Sequence, residues 1–250
     1  MFPSMRVIVF ASQKGGSGKT TLAGHIAVQA EACGAGPVAV FDMDPQGSLA
    51  KWWNVRASET PVFIHSEFGN LAQNLEQVRE KKFSLAVIDT PPAVTRAIAE
   101  VVDFADLVVL PTRPSPHDLR AVGATVDIVE AKNKPMIFVV NAATARARIT
   151  SEAAVALSQH GTVAPVNIHH RVDFAASMID GRTVMEASPN GRSAKEIASL
   201  WEYLDLRLAK LDRAVVTASD GTFGATQSSG SSIGRSTPAF GRRAMTTTRA

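Results

Sequence analysis

The chain repeats one pattern: short continuous apolar runs, separated by stretches in which apolar positions return every third or fourth residue. The runs are residues 6–11 (Arg-Val-Ile-Val-Phe-Ala), Val38 to Asp42, Phe83 to Asp89, Leu107 to Leu110, Met136 to Val140 and Val163 to Ile168. A continuous apolar run of this length reads as a strand buried on both faces. Helical spacing covers Thr20 to Cys33, Phe68 to Lys82 (Leu71, Leu75, Val78) and about Pro116 to Ala131. It returns from Ser151, a candidate cap, to His160, with Gly161 as a stop. The last such stretch, Arg192 to Leu211, sets Ile197, Leu200, Leu204 and Leu208 on one face. Buried strands alternating with helices predict an α/β fold: a doubly wound, mostly parallel sheet with helices on both faces. Ligands of such folds bind at the carboxyl ends of the strands.

The pattern stops after Val216, where Ser, Thr, Gly and Ala dominate and large apolar residues are sparse. Such a segment buries too little surface to offset its ordering entropy. The expected organisation is therefore one domain over residues 1–213 and a disordered basic tail over 214–250. Charge sharpens this division. The net charge is +3, and the segment 215–250 holds four basic residues and one acidic residue, so the body before it is neutral. The high isoelectric point thus does not make the body a basic nucleic-acid binder; any such affinity must come from a local patch or the tail. Cys33 stands alone, which excludes an intramolecular disulfide and argues against a cysteine-held zinc or iron–sulfur site. It fits a reducing cytoplasm. The first residues lack the layout of a signal peptide, and no stretch approaches the roughly 18 apolar residues of a spanning helix.

Candidate chemistry gathers after the first three runs. Lys14-Gly15-Gly16-Ser17-Gly18-Lys19-Thr20-Thr21 lies between a buried strand and a helix. Its glycines let successive N–H groups curl toward a phosphate, and the helix start adds a positive dipole end. Lys19 can reach the β- and γ-phosphates, the Thr20 hydroxyl can ligate Mg²⁺, and Thr21 can contact the α-phosphate. The usual G-x-x-x-x-G-K-[ST] pattern needs glycine at position 13, which is Gln13, so the loop is a variant. After the second run comes Asp42-Met43-Asp44-Pro45-Gln46-Gly47-Ser48, a shaped turn with two carboxylates. In a phosphate site one carboxylate can orient the attacking water while the other helps hold magnesium. The third run ends in Asp89-Thr90-Pro91-Pro92, an acid at the place of a magnesium-binding strand end.

Lys14-Gly15-Gly16-x-Gly18-Lys19-Thr20-Thr21 resembles the deviant phosphate loop of the ParA/MinD ATPases. The resemblance covers about residues 6–210 and implies ATP and Mg²⁺ as cofactors. Lys14 matches the family's signature lysine, which reaches across a dimer interface to the partner's nucleotide. Cofactor binding then falls to Gly15, Gly16, Ser17, Gly18, Lys19, Thr20 and Thr21. Asp44 matches the residue that positions the hydrolytic water, Asp89 takes the magnesium role with Thr20, and Asp42 sits near the magnesium shell. Asn141, ending the fifth run, matches an asparagine beside the adenine, where an amide can donate and accept at once. Pro111 to Asp118 resembles a loop near the dimer interface and yields no individual role.

Arg171, within Ile168 to Phe174, and Arg192 with Lys195, within Asn190 to Lys195, resemble two basic sites that contact DNA phosphates. A plain solvated charge is an equal reading of each. His169 and His170 lack metal-ligand spacing. Departures from the pattern narrow the branch. The loop begins almost at the first residue, leaving no helix-turn-helix extension, and 215–250 carries no apolar stripe for a membrane helix. The resemblance implies a short ParA-type partition or positioning ATPase, cytoplasmic and nucleoid-associated, with no stable membrane binding. Its expected partners are a second copy in an ATP-bound homodimer, non-specific DNA, and a cargo adaptor that stimulates hydrolysis. A regulatory or MinD-like switch acting on a protein or membrane is the other class considered.

Overall fold

A computed structural model of the chain describes residues 5–92 and 95–220, with the backbone alone for 95 and 214–220. Strand β1 (Arg6–Phe10) leads through the glycine loop into helix α1 (Lys19–Ala32). There follow β2 (Val38–Asp42), α2 (Ser48–Asn54), β3 (Val62–Phe63), α3 (Leu71–Glu80) and β4 (Leu85–Asp89). Helix α4 (Thr95–Val102), β5 (Leu107–Thr112), α5 (Pro116–Ala131), β6 (Met136–Val140), α6 (Arg148–Ser158) and β7 (Thr162–Val163) complete the sheet. Helices α7 (Val172–Met178), α8 (Val184–Ala187) and α9 (Arg192–Asp220) end the described chain. The strands form one parallel seven-stranded sheet in the order β3-β2-β4-β1-β5-β6-β7.

Alternate residues of each strand enter opposite cores, as a period of two requires. Ile8, Phe10, Val40, Val87 and Val109 pack under α1 and α9 with Leu22, Ile26, Ile197, Leu200, Leu204 and Leu208. Val7, Val9, Phe41, Ile88 and Leu110 pack on the other side against α3, α4 and α5. The expected stripe of α9 is fully inside: Ile197, Leu200 and Leu204 are 0% exposed. Each such side chain contributes about 1.5–3 kcal/mol by leaving water.

Four expectations need correction. The sixth run does not form a strand over 163–168. The ladder stops at Val163 because Pro165 has no N–H to give, and the chain rejoins β6 by Ile168 N donating to Val140 O at 3.0 Å. Helix α6 begins at Arg148 rather than at a Ser151 cap, and the Thr150 hydroxyl donates to Thr144 O inside its first turn. Helix α9 continues to Asp220, seven residues into the expected tail; residues 221–250 of that tail lie outside the described residues. The helix beginning at Phe68 is a 3-10 turn (Phe68–Asn70) followed by α3.

Candidate nucleotide site

The glycine loop leaves β1 and closes into α1 through two left-handed residues, Gly16 (φ 73°) and Gly18 (φ 99°). A Cβ on Gly18 would stand 2.0 Å from Asn141 Nδ2, so glycine here is required by close approach as well as by backbone angle. Behind the loop, Asn141 Nδ2 donates to Ser17 O at 2.7 Å, Gln13 N donates to Thr125 Oγ1 at 3.1 Å, and Lys14 N donates to Ser12 Oγ at 3.2 Å. The N–H groups of Gly15, Gly16, Ser17 and Gly18 have no acceptor among the described residues. With the first turn of α1 they form a nest of donors suited to an anion.

Lys19 is buried, and burial lowers its pKa against the opposing pull of Asp89 and Asp44. Asp89 is 0% exposed; burial pushes its pKa up to about 7, opposed by the Thr20 hydrogen bond and Lys19. The Thr20 hydroxyl donates to Asp89 Oδ2 at 2.5 Å, while Asp89 Oδ1 has no partner. A desolvated carboxylate with one open oxygen, beside a threonine hydroxyl at a phosphate nest, fits a magnesium ion held mostly by phosphate and water oxygens. No three His, Cys, Asp or Glu side chains form a cage among the described residues.

Asp42 and Asp89 are register partners on adjacent strands, so their carboxylates leave the sheet side by side. Asp42 Oδ1 accepts from Asp44 N at 3.0 Å and Oδ2 from Ala50 N at 2.9 Å. Both its oxygens therefore shape the loop and the start of α2, a part the sequence did not disclose. Asp44 lines the cleft, and its Oδ1 holds the turn by accepting from Gln46 N at 2.9 Å.

The cleft measures about 650 Å³. Gly15, Gly16, Gly18, Lys19, Thr20, Thr21 and Asp44 line it. Asn141 does not line it; the adenine candidate sits behind the phosphate loop and pins it. Lys14 is exposed and also outside the lining. Lys51, Trp52, Val55, Arg113, Met178 and Ile179 join the wall, and the sequence reading assigned a role to none of them.

A family model described as the CobQ/CobB/MinD/ParA nucleotide-binding domain matches residues 8–184. The chain belongs to the MinD/ParA family. A carboxysome distribution maintenance protein A of Halothiobacillus neapolitanus is 28% identical over 199 residues, 76% of this chain and 91% of that protein. The ATP complex of a Cyanothece McdA variant superposes with a TM-score of 0.65 at 18% identity, covering 81% of this chain and 97% of that one. The Pyrococcus horikoshii MinD bound to Mg-ADP gives 0.67 at 16% identity, covering 83% and 98%. The likeness to these structures shows the fold, which is that of the MinD/ParA P-loop proteins.

Away from the cleft, the candidate DNA residues of this MinD/ParA chain come together where α7 and α9 begin. Arg192 and Lys195 are exposed in the first turn of α9, and Ser193 Oγ donates to Asp173 Oδ2 of α7 at 2.9 Å. Arg171 precedes α7, but both its terminal nitrogens donate to Glu196, each at 2.7 Å. Burial would raise the pKa of Glu196, yet hydrogen bonds from Arg171 and His169 hold it low. Arg171 was expected to stand free for a phosphate; any anion must compete with a bidentate carboxylate for it. His169 belongs to the same network, its Nδ1 lying 2.8 Å from Glu196 Oε1.

A polar joint links the cleft to this region. Trp52 packs its ring on Gly24 of α1, where a Cβ would lie 3.2 Å away, and donates from Nε1 to Arg182 O at 3.1 Å. The Arg56 guanidinium lies 4.9 Å from the Trp52 ring centre. It donates to Gly181 O at 2.6 Å, to Thr60 O at 3.0 Å and to both oxygens of Glu186. His25 of α1 is fully buried, and desolvation lowers its pKa to about 4. The neutral ring donates from Nδ1 to Thr21 O at 2.7 Å and accepts at Nε2 from Val184 N at 3.2 Å. Phosphate helix, α2 and residues 181–186 thus meet in one network.

Proposed function

We propose that the chain is an ATP-dependent dimerising ATPase that binds DNA without sequence preference and positions a cargo. The observation that carries this reading is the division of labour between two lysines five residues apart. Lys19 is buried and lines the cleft, whereas Lys14 is exposed and is not among the residues that line it. Lys19 and the free N–H groups hold the phosphates. Thr20 and Asp89 hold magnesium, which when bound neutralises charge on the transferred phosphoryl group. Asp42 fixes the loop from which Asp44 orients the attacking water. Lys14 completes the site of a facing copy, acting in trans as an arginine finger does.

In the closed dimer the exposed Arg192 and Lys195 supply the DNA contacts, backed by the amino end of α9. A cargo adaptor stimulates hydrolysis, the dimer opens, and the subunits leave the nucleoid. The relative named for carboxysome distribution favours a protein assembly as cargo over a plasmid or chromosome. A second reading, a switch acting on a protein partner instead of DNA, is favoured by one observation: Glu196 already neutralises Arg171.

Sedimentation with Mg-ATP and random-sequence DNA tests both. Wild type should dimerise and pellet with DNA; Lys14→Ala should bind nucleotide and remain monomeric. Normal dimerisation of Lys14→Ala removes the trans role. A wild-type dimer that ignores DNA moves the reading to the protein switch.

A further inference from the structure

The turn after β5 carries a cation for which the roles above have no use. Arg113 follows Thr112, the last residue of that strand, and lines the cleft. Its backbone is held on both sides. Asn141 N donates to Thr112 O at 2.9 Å, and Ser115 N donates to Arg113 O at 2.8 Å. Pro111, Pro114 and Pro116 restrict the turn, and the Ser115 hydroxyl caps α5 by accepting from Asp118 N at 3.1 Å. Only the side chain of Arg113 retains freedom.

That side chain turns to the phosphate loop. Its Nη2 lies 3.6 Å from where a Cβ on Gly16 would stand. Among the described residues the guanidinium has no hydrogen bond or ion pair. Arg96 and Arg148, also exposed, instead pair with Glu100 and Glu152 along their own helices. A planar five-donor cation without a carboxylate, facing a nest of free N–H groups, is suited to bidentate contact with phosphate oxygens.

We propose that Arg113 binds the terminal phosphate of the nucleoside triphosphate within its own subunit and so separates triphosphate from diphosphate. The inference rests on the nucleotide reading of the cleft. Thr21, in the helix, takes the α-phosphate in that reading, so the phosphate chain runs back along the loop and ends toward Gly15 and Gly16. Arg113 stands over that end. Lys19, buried at the helix start, reaches the β- and γ-phosphates from the helix side of the loop. Arg113 therefore meets a charge that the diphosphate lacks.

Calorimetry on the full chain with Mg-ATPγS and Mg-ADP tests the assignment. Arg113→Ala should weaken ATPγS about tenfold, the scale of one charge-assisted phosphate contact, and ADP less than twofold. Retained ADP affinity also reports that the variant is folded. Arg113→Lys should recover part of the loss, because a point charge remains without the fork. In a Lys14→Ala background, where subunits stay apart, the same preferential loss should appear. Equal weakening of both nucleotides, no weakening, or disappearance of the effect in that background overturns the proposal. Failure of wild type to bind either nucleotide would instead remove the nucleotide reading beneath it.

Discussion

Two buried polar regions of this molecule face the same physical problem and solve it in opposite ways. At the cleft, Asp89 and Lys19 are desolvated, and Asp89 Oδ1 and Ser17 Oγ lack partners. At the joint, Arg56 makes four hydrogen bonds, both nitrogens of His25 are satisfied, and Arg56 Nε alone is left over. An unsatisfied buried polar group costs about 1–3 kcal/mol, more when charged. The joint meets that cost with its own residues and gains a fixed geometry. The cleft leaves it standing, which reserves the groups for a ligand. Instability at Asp89 and rigidity at Arg56 are thus complementary parts of one device.

The largest effect expected from breaking this contrast is at Arg56. Arg56→Ala removes a buried guanidinium together with its four hydrogen bonds; the Glu186 side chain keeps 33% exposure to water, so at about 1 kcal/mol net for each bond the loss should be about 4 kcal/mol. Urea unfolding at pH 7 measures it. A loss below 1 kcal/mol would mean that the network closes without the guanidinium, and the joint would then be no more determined than the cleft.

The pH dependence of stability sharpens the comparison because the two regions have opposite signs. In nucleotide- and magnesium-free protein, Asp89 is raised from 3.8 to about 7. The folded state binds the extra proton, so stability falls as pH rises between those values by about 1.4 kcal/mol per unit. His25 is lowered from 6.5 to about 4, and here the unfolded state binds the extra proton. Its contribution is complete above 6.5 and is lost as pH falls toward 4. Between pH 4 and 6.5 the two slopes oppose each other. Asp89→Asn should therefore gain stability over wild type as pH rises, by roughly 4 kcal/mol across the window. His25→Gln should show the reverse trend, improving relative to wild type as pH falls. Parallel stability curves for wild type and Asp89→Asn would show that the carboxylate is not strained in the empty cleft.

Much of the cleft was legible in the sequence, and almost nothing of the joint was. The reason is the range over which each is encoded. Gly16, Gly18, Lys19 and Thr20 act through a local backbone path, so their spacing carries the chemistry. Asp42 and Asp89 end apolar runs, and the parallel register then sets them side by side. The joint has no such local signature. Trp52 meets Arg182 across 130 residues, and His25 meets Val184 across 159. Gly181 has no motif around it in the sequence, yet its φ of 78° and a prospective Cβ 2.5 Å from Arg56 N make glycine specific there. Asn141 shows the converse: its place at a strand end was visible, but the sequence did not show that its amide faces the loop from behind. Arg171 was legible as a basic residue and not as the partner of Glu196, because that pairing depends on how α9 packs beside α7.

The smallest expected effect falls on Trp52, which belongs to both regions. The ring lines the cleft, whereas the indole N–H serves the joint. Trp52→Phe keeps an aromatic face against Gly24 and under Arg56 but strands Arg182 O. One net hydrogen bond is worth about 0.5–1.5 kcal/mol, so unfolding stability should drop by that amount. Nucleotide affinity, measured by titration with Mg-ADP, should stay within twofold, because the cleft uses only the apolar surface that phenylalanine retains. Trp52→Ala removes the surface as well and should impair both. If Trp52→Phe instead lost nucleotide affinity while keeping its stability, the division would be wrong. The N–H bond to Arg182 would then be setting the shape of the cleft, and the two regions would be a single site.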